Sequence, residues 1–301
     1  MNKQEFIEEA TYWLTEFKRD NPWLKVSMGV AQGGRESGWG KHAPGNNFLG
    51  IKAPKIKKND VWIVDPKIPK DRIQKLLTWE WSAKEGRFVQ VYDWFMNYPS
   101  LQACFERYVK ILSGSRYKDV RNSKDWWDST NYVRLNGYAT SPNYTNSLRT
   151  DILSNRLYQL DWKHEYSEPI NPGSNFVWGE TFSNVYFNGK KYYRVIEPYE
   201  IYWDNVKKLA TQLQIVRFNF GYPIKIESWF RIPAYNPIVG GSPDSQHLYA
   251  NAADTIKPYR VSSKDYLDCV LNKTSITGIG IQKSGSLHLD LKKVKRRIWY
   301  Y

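Results

Sequence analysis

The chain has 301 residues, of which 41% are hydrophobic and 16% aromatic. This is enough apolar material for two packed domains of about 100–200 residues each, and it argues against global disorder. No apolar run approaches the ~20 residues of a membrane-spanning helix, so no membrane span is predicted. The net charge of +14 favours a polyanionic partner such as nucleic acid, anionic lipid or a bacterial wall polymer. The two cysteines are too few for a disulfide framework and are interpreted as reduced packing residues.

The first third of the chain predicts helices with one short β excursion. Apolar residues recur at helical spacing over residues 6–17 and again over residues 101–112, where Ser113 and Gly114 end the second helix. A short strand pair is predicted at residues 76–81 and 88–92. The pattern is typical of a mainly helical α+β domain.

A different pattern begins after a polar segment rich in proline and glycine at residues 167–174. Strands are predicted at 185–187, 192–196, 224–229, 279–281 and 287–291, and helices at 202–213 and 263–271. The sequence therefore predicts two unlike domains, residues 1–160 and 175–301, joined by a linker at residues 161–174.

Glu36 is the first candidate catalytic residue. It stands at the predicted end of a helix, where Ser37 and Gly38 open the chain toward a cleft. Beside Trp39 and Phe48 a carboxyl group would be partly desolvated, which raises its pKa and retains a proton for a leaving oxygen. Taken alone, a glutamate at a helix end is more often a solvated surface residue. Cleavage of a glycosidic bond also needs a second carboxylate or an equivalent nucleophile.

The sequence around Glu36 resembles the active-site helix of glycoside hydrolase family 73, the flagellar and autolysin-type N-acetylglucosaminidases. The matching segments occur in the order of that family: ESGWG at 36–40, APGNNFLGIK at 43–52, TWE at 78–80, FVQVYD at 88–93 and GYATSPNY at 137–144. The resemblance spans about residues 1–155. It implies a lysozyme-like fold with Glu36 as the general acid.

The same resemblance implies roles for other residues of the first half. Glu80 would be the second carboxylate, unless the acetamido group of the substrate acts as the nucleophile instead. Tyr138 and Tyr144 would line the sugar cleft, and Trp39 is predicted as a further substrate-binding residue. One departure from the family pattern is Ser141, which replaces an aspartate.

Two of the four histidines stand in suggestive surroundings in the second half. A catalytic zinc commonly takes three histidine or carboxylate ligands and keeps one position open, and His247, Asp254 and His288 would supply such a set. The spacing alone is weak evidence, because a histidine often has an aspartate seven positions later by chance.

Residues 174–291 resemble the zinc D-alanyl-D-alanine carboxypeptidases and phage endopeptidases, also called LAS peptidases. The matching segments are SWFRIPAYN at 228–236, SQHLYANAAD at 245–254 and HLD at 288–290. The resemblance implies an α+β zinc peptidase domain with a small antiparallel sheet, and Zn2+ as the cofactor of the three candidate ligands. Arg231 would stabilise the substrate carbonyl or the oxyanion. Ser245 is predicted to bind substrate.

The base of this peptidase is left open by the sequence. Many relatives place a carboxylate three residues before the last histidine, where this chain has Gly285. Asp290 either replaces that base or orients a metal ligand. A second departure is Ala250, which stands in place of the usual glycine.

Both halves point to one polymer, bacterial peptidoglycan. The sequence therefore predicts a bifunctional hydrolase, an endo-beta-N-acetylglucosaminidase joined to a zinc carboxypeptidase or endopeptidase that cuts stem or cross-link peptides. The first residues lack a secretory signal, which favours a bacteriophage product. Such a protein would be a lysin held in the host cytoplasm until holin-dependent release, or a virion component with phage tail proteins as partners.

Two other classes of protein remain as alternatives. One is a virion tail structural or wall-binding protein in which one or both sites are inactive, although Glu36 and the complete histidine and aspartate set argue against it. The other is a nucleic-acid-binding protein, which would explain the charge and the aromatic residues but not the motifs. No nucleic-acid partner is therefore predicted.

Overall fold

The structure is a computed structural model that describes residues 1–82, 84–292 and 294–301. The chain forms two compact units, Met1–Asp161 and Trp162–Tyr301. Within the described residues, no helix combines the length and the apolarity needed to cross a membrane. Both cysteines, Cys104 and Cys269, are buried free thiols, as predicted.

The first unit is mainly helical and contains two antiparallel hairpins. Its helices are α1 (Lys3–Asp20), α2 (Val26–Ser37), α3 (Leu101–Leu112), α4 (Lys118–Asn122), α5 (Trp126–Leu135) and α6 (Tyr144–Ser154). The hairpins lie between α2 and α3 in the chain and consist of β1 (Lys55–Lys58) with β2 (Val61–Val64) and β3 (Ile73–Ser82) with β4 (Arg87–Met96). The predicted helices and β excursion are confirmed. The β1–β2 pair, at residues 55–64, was not predicted.

Helix α2 is the buried centre of the first unit. Every residue of α2 except Arg35 and Glu36 is buried. Glycines allow its neighbours to approach closely, because a Cβ atom on Gly29 would lie 2.8 Å from Leu14 of α1 and one on Gly33 would lie 2.8 Å from Phe105 of α3. This packing fixes the helix and leaves its last turn as the part that reaches solvent.

The second unit combines helices with a five-stranded sheet. It begins with α7 (Trp178–Thr181) and a hairpin of β5 (Ser183–Phe187) and β6 (Lys190–Ile196), followed by α8 (Trp203–Phe220). The larger sheet consists of β7 (Lys225–Ser228), β8 (Ala252–Ile256), β9 (Gly278–Ile281), β10 (Leu287–Asp290) and β11 (Arg297–Tyr300), with α9 (Ser263–Lys273) between β8 and β9 in the chain.

The strand order of this sheet is β11-β9-β10-β8-β7. All neighbouring strands are antiparallel except β11, which runs parallel to β9. The predicted α+β domain with a small antiparallel sheet is therefore confirmed. Strands β8 and β11 were not predicted, since each has only four or five residues and neither shows a clear alternation of polar and apolar residues.

The segment predicted as a linker packs as part of the second unit. Its Ile170 is buried, and the backbone N–H of Ile170 donates a hydrogen bond to the carbonyl of Phe176. The ring of His164 stacks on Trp178 with centroids 3.7 Å apart. Proline and glycine here build a compact turn rather than a flexible spacer, because the turn brings an apolar side chain to the core.

Cutting the chain between Asp161 and Trp162 should give two fragments that fold independently, since each unit is large enough for its own core. A fragment that begins at Ser174 should be less stable than residues 162–301, because it loses the buried Ile170 side chain, worth about 1.5–3 kcal/mol. Urea unfolding of both fragments, followed by circular dichroism, measures this difference. Equal unfolding midpoints would contradict the packing role of residues 162–173.

Candidate functional site

Glu36 lies in the last turn of α2 and faces a cleft of about 750 Å³ in the first unit. The helix ends directly after it because Gly38 and Trp39 adopt left-handed backbone conformations, with φ values of 58° and 61°. The backbone at Gly50 approaches so closely that a Cβ atom there would lie 3.3 Å from Glu36 Oε2. The carboxyl group is thus held between the helix end and the segment that follows it.

A chain of hydrogen bonds inside the first unit reaches one oxygen of Glu36. The Tyr144 hydroxyl donates to Glu36 Oε1 over 3.1 Å, and Gln32 Nε2 donates to the Tyr144 hydroxyl over 3.1 Å. The Tyr108 hydroxyl donates to Gln32 Oε1 over 2.5 Å. Side chains from α2, α3 and α6 therefore converge on the carboxyl group.

The pKa of Glu36 is raised above its ordinary value. The largest cause is desolvation, since the walls of the cleft displace much of the surrounding water although the side chain keeps access to solvent. The hydrogen bond from Tyr144 and the charge of Arg35 lower the pKa, while the charge of Glu80 raises it. A raised pKa keeps this carboxyl protonated at higher pH, as a general acid requires.

Glu80 lies on β3 and lines the same cleft. Its Oε1 atom is 2.8 Å from Lys52 Nζ, and the same ammonium group is 3.2 Å from Asp93 Oδ2 on β4. The register pairs Leu76 with Asp93 and Glu80 with Val89, which places Glu80 and Asp93 on one face of the hairpin. Lys52 therefore orients Glu80 within the cleft.

The two predicted cleft tyrosines are both found in the lining of the cleft. The rings of Tyr138 and Tyr144 are stacked with centroids 6.4 Å apart, and the Tyr138 hydroxyl donates to the Leu49 carbonyl over 3.2 Å. His42, which was not a predicted site residue, also lines the cleft. The chain reversal after α2 brings His42 back to the helix end, and only Gly38 and Gly40 hinted at that reversal.

The structure places Trp39 outside the lining of this cleft, and its predicted substrate-binding role stays a prediction. Its indole packs against Gly34, where a Cβ atom would lie only 2.5 Å away, and it meets Phe6 edge-on with centroids 6.3 Å apart. The left-handed turn at the end of α2 folds the indole back onto the helix.

His247, Asp254 and His288 converge in the second unit. Asp254 on β8 is the direct antiparallel partner of His288 on β10, and His247 lies in the short helical turn that precedes β8. His247 Nε2 is 3.2 Å from both Asp254 Oδ1 and His288 Nδ1, and the last two atoms are 2.9 Å apart. Two ligands of a tetrahedral zinc ion lie about 3.3 Å apart, so this donor set fits the metal.

The remaining nitrogen of each histidine is already engaged. His247 Nδ1 contacts the carbonyl oxygen of Trp229, and His288 Nε2 lies 3.4 Å from Asp290 Oδ2. These acceptors favour a proton on His247 Nδ1 and on His288 Nε2. The unprotonated nitrogens, His247 Nε2 and His288 Nδ1, then face the cluster with lone pairs that can bind a metal. The described residues contain this single group of three closely spaced metal-binding side chains.

The structure supports the orienting role of Asp290 rather than the role of a base. Asp290 is 2% exposed, and it also accepts hydrogen bonds from the backbone N–H of Lys292 and from the Arg297 guanidinium. A side chain at position 285 would have to adopt a left-handed backbone conformation, φ 81°, and its Cβ atom would crowd Ser263 Oγ at 2.3 Å.

Arg231 is bound to a candidate ligand in the structure. Its guanidinium donates to Asp254 Oδ2 and, over 3.0 Å, to Ser228 Oγ. Burial opposes ionisation of Asp254, but its interactions with His247, His288 and Arg231 outweigh burial and hold the pKa of that carboxyl well below its usual range. The predicted contacts of Arg231 and Ser245 with substrate stay predictions.

Five residues in register form a row across the sheet, and the row includes two of the three candidate metal donors: Ser228, Asp254, His288, Gly280 and Trp299. Two aromatic rings occupy the space that a side chain at Gly280 would need, since a Cβ atom there would lie 2.6 Å from Tyr301 and 2.8 Å from Trp299. The ring centroids of Trp299 and His288 are 5.5 Å apart. The last strand therefore borders the donor cluster, which no sequence signal indicated.

Comparisons with known proteins agree with both predicted resemblances. Residues 19–157 match the Glucosaminidase family, described as mannosyl-glycoprotein endo-beta-N-acetylglucosaminidase, and residues 192–290 match the family described as Peptidase M15. The chain is thus a hydrolase of two domains. It carries a lysozyme-like domain of the glucosaminidase family followed by a domain of the M15 peptidase family.

Several solved structures are similar to parts of the chain. A peptidoglycan hydrolase mutant from Sphingomonas sp. A1 is 23% identical, with 53% of this chain and 94% of that chain covered and a TM-score of 0.39. The catalytic domain of the autolysin Auto from Listeria monocytogenes is 27% identical, with coverages of 52% and 86% and a TM-score of 0.40. An N-acetylmuramoyl-L-alanine amidase from Staphylococcus aureus is 17% identical, with coverages of 74% and 64% and a TM-score of 0.43. No curated protein matches the chain.

The donor geometry predicts that the purified protein binds one zinc ion per chain. Asp290→Asn should weaken zinc binding by about 10–100-fold, because the amide is a poorer acceptor for the His288 ring. Asp268→Asn is the matched control, since Asp268 is a surface carboxylate of α9 paired with Lys264. Competition with a chromophoric chelator measures the affinity. Stoichiometric zinc in a His288→Ala variant would contradict the site.

Proposed function

We propose that the chain is a bifunctional peptidoglycan hydrolase. The first unit would act as an endo-beta-N-acetylglucosaminidase on glycan strands, and the second as a zinc carboxypeptidase or endopeptidase on stem or cross-link peptides. The observation that carries the proposal is that each family-matched unit holds its own set of reactive groups, a desolvated carboxyl group in a cleft and three converging metal donors. The net charge of +14 would draw the protein to anionic wall polymers.

In the glycosidase reaction Glu36 donates its proton to the glycosidic oxygen as the bond to the sugar ring breaks. The positive charge that develops on the ring requires a nucleophile from the opposite side. Glu80, held by Lys52 in the same cleft, is one source, and the acetamido group of the substrate is the other. Tyr138 and Tyr144 line this cleft, where the half-buried ring of Tyr138 would contact the sugar.

In the peptidase reaction His247, Asp254 and His288 would hold zinc. Zinc in a three-ligand site supplies Lewis acidity toward a peptide carbonyl. Asp290 fixes the orientation of the His288 ring, and Arg231 fixes Asp254. Both contacts keep the donors aligned, which the reaction requires because a displaced donor weakens metal binding.

We also propose a bacteriophage setting, as a lysin released through holin or as a lysin carried in the virion tail. The resemblance of the second half to phage endopeptidases supports this proposal. A tail structural protein that only binds the wall is the competing possibility. Such a structural protein would bind bacterial walls without releasing cleavage products.

Digestion of purified walls tests both activities in one experiment. Glu36→Gln should lower the release of new reducing ends on the order of 10²–10⁴-fold and spare peptide cleavage, since it removes only the transferable proton. His288→Ala should do the reverse. Glu106→Gln, on the exposed face of α3, is the control. Mass spectrometry of the muropeptides assigns each bond, and a wild-type protein that binds walls without releasing products would refute the proposal.

Glu80→Gln distinguishes the two sources of the nucleophile. If Glu80 acts as the second carboxylate, the substitution should lower glycan cleavage on the order of 10²-fold or more, as expected for loss of a catalytic carboxylate. Undiminished release of reducing ends would instead favour the acetamido group. Thermal unfolding of the variant checks that the lost ion pair with Lys52 has not changed the fold.

A further inference from the structure

Gln32 is a polar amide whose side chain is completely buried in the core of the first unit. It lies on α2, one turn before Glu36, and is 0% exposed. Its two polar atoms have separate partners, Tyr108 on α3 and Tyr144 on α6. A buried amide is costly unless both ends are hydrogen-bonded, and here both are.

The chemistry of these partners gives the chain of hydrogen bonds a direction. In the structure the amide is oriented so that Gln32 Oε1 accepts the single proton of the Tyr108 hydroxyl. The other end, Nε2, then donates to the Tyr144 oxygen. The single proton of Tyr144 is left for Glu36 Oε1.

We infer that Gln32 is a positioning residue for the proposed general acid. Held by Tyr108, it makes the Tyr144 hydroxyl a permanent donor to Glu36 Oε1, so that the transferable proton resides on Oε2. Because Glu36 Oε1 accepts the hydrogen bond from Tyr144, Oε1 is not the oxygen that carries the proton. Oε2 is the oxygen next to Gly50 at the cleft. The inference rests on the proposed glycosidase function of the first unit.

The same hydrogen bond influences the pKa of Glu36, because Tyr144 stabilises the charged form and lowers the pKa. Burial raises the pKa of Tyr144 itself well above its ordinary value, so its hydroxyl stays protonated. The other charged groups around Glu36 are Arg35, paired with Asp151 of α6, and Glu80 of β3, paired with Lys52. None of these contacts passes through Gln32.

The test is the pH profile of glycan cleavage by the full-length protein. A general acid must be protonated, so activity falls as the pH rises through the pKa of Glu36. Tyr144→Phe removes a hydrogen bond to the charged form and should move this alkaline limb upward by about 1 pH unit. Gln32→Met should move it in the same direction by about 0.3–1 unit, since it weakens Tyr144 as a donor.

Three further variants separate positioning from packing. The double variant Gln32→Met with Tyr144→Phe should have the limb of Tyr144→Phe alone, because Gln32 acts only through Tyr144. Tyr117→Phe is the matched control, since Tyr117 is a buried tyrosine of the same unit that lies outside the cleft lining, and its limb should stay in place. Tyr108→Phe reaches the same amide from α3 and serves if Gln32→Met does not fold.

The outcomes distinguish this inference from the proposed function. A Glu36→Gln variant with full activity overturns the proposed glycosidase. If Glu36 is essential but Tyr144→Phe leaves the limb unchanged, the amide has the opposite orientation and the inference is wrong. If Gln32→Met and Tyr108→Phe lower activity without moving the limb, Gln32 has only a packing role.

Discussion

The first unit depends on the nearly complete burial of helix α2. Glycines at positions 29, 33 and 34 remove the side chains that would otherwise separate it from α1, α3 and the Trp39 indole. A helix enclosed on all sides has no freedom to rotate, because any rotation would bring its packed residues into collision. The direction in which Glu36 points is therefore set by the packing of residues up to two turns away. The geometry of the proposed general acid is a consequence of the core.

In the second unit the equivalent constraint is the register of a sheet. Asp254 and His288 meet because β8 and β10 pair antiparallel, and a shift by one residue would turn both side chains to the opposite face. Buried neighbours such as Leu287 and Leu289 prevent that shift, since it would expose them. The metal donors thus inherit their alignment from apolar residues that take no part in the chemistry.

Desolvation acts on the two sites in a complementary way. It favours the neutral form of each group, so it raises the pKa of Glu36 and lowers the pKa of His247. A general acid is active below its pKa, whereas a histidine binds metal above its pKa. The raised pKa of Glu36 and the lowered pKa of His247 therefore each widen the pH range in which that side chain has the protonation state that its proposed role needs. His288 differs, because Asp254 and Asp290 outweigh its burial and raise its pKa.

The sequence predicted those features that depend on local periodicity or on short motifs. Helices α1 and α3 follow from apolar stripes, and the donor set follows from a family pattern. The position of Trp39 was missed because it depends on two left-handed residues at a helix end. Gln32 was missed because its partners lie 76 and 112 residues away in the chain, and a buried glutamine has no periodic signal. The packed segment before Ser174 was missed because proline and glycine favour tight turns and spacers alike.

The glycine at position 280 has a practical consequence for anyone who purifies the protein. Because its missing side chain admits the rings of Trp299 and Tyr301, Tyr301 lies in the same region of the sheet as His288. A polyhistidine tag fused after Tyr301 would begin beside the metal donors and bring a high local concentration of competing imidazole groups. Metal analyses of such a protein would count ions held by the tag. A tag before Met1, or one removed by a protease, avoids this artefact.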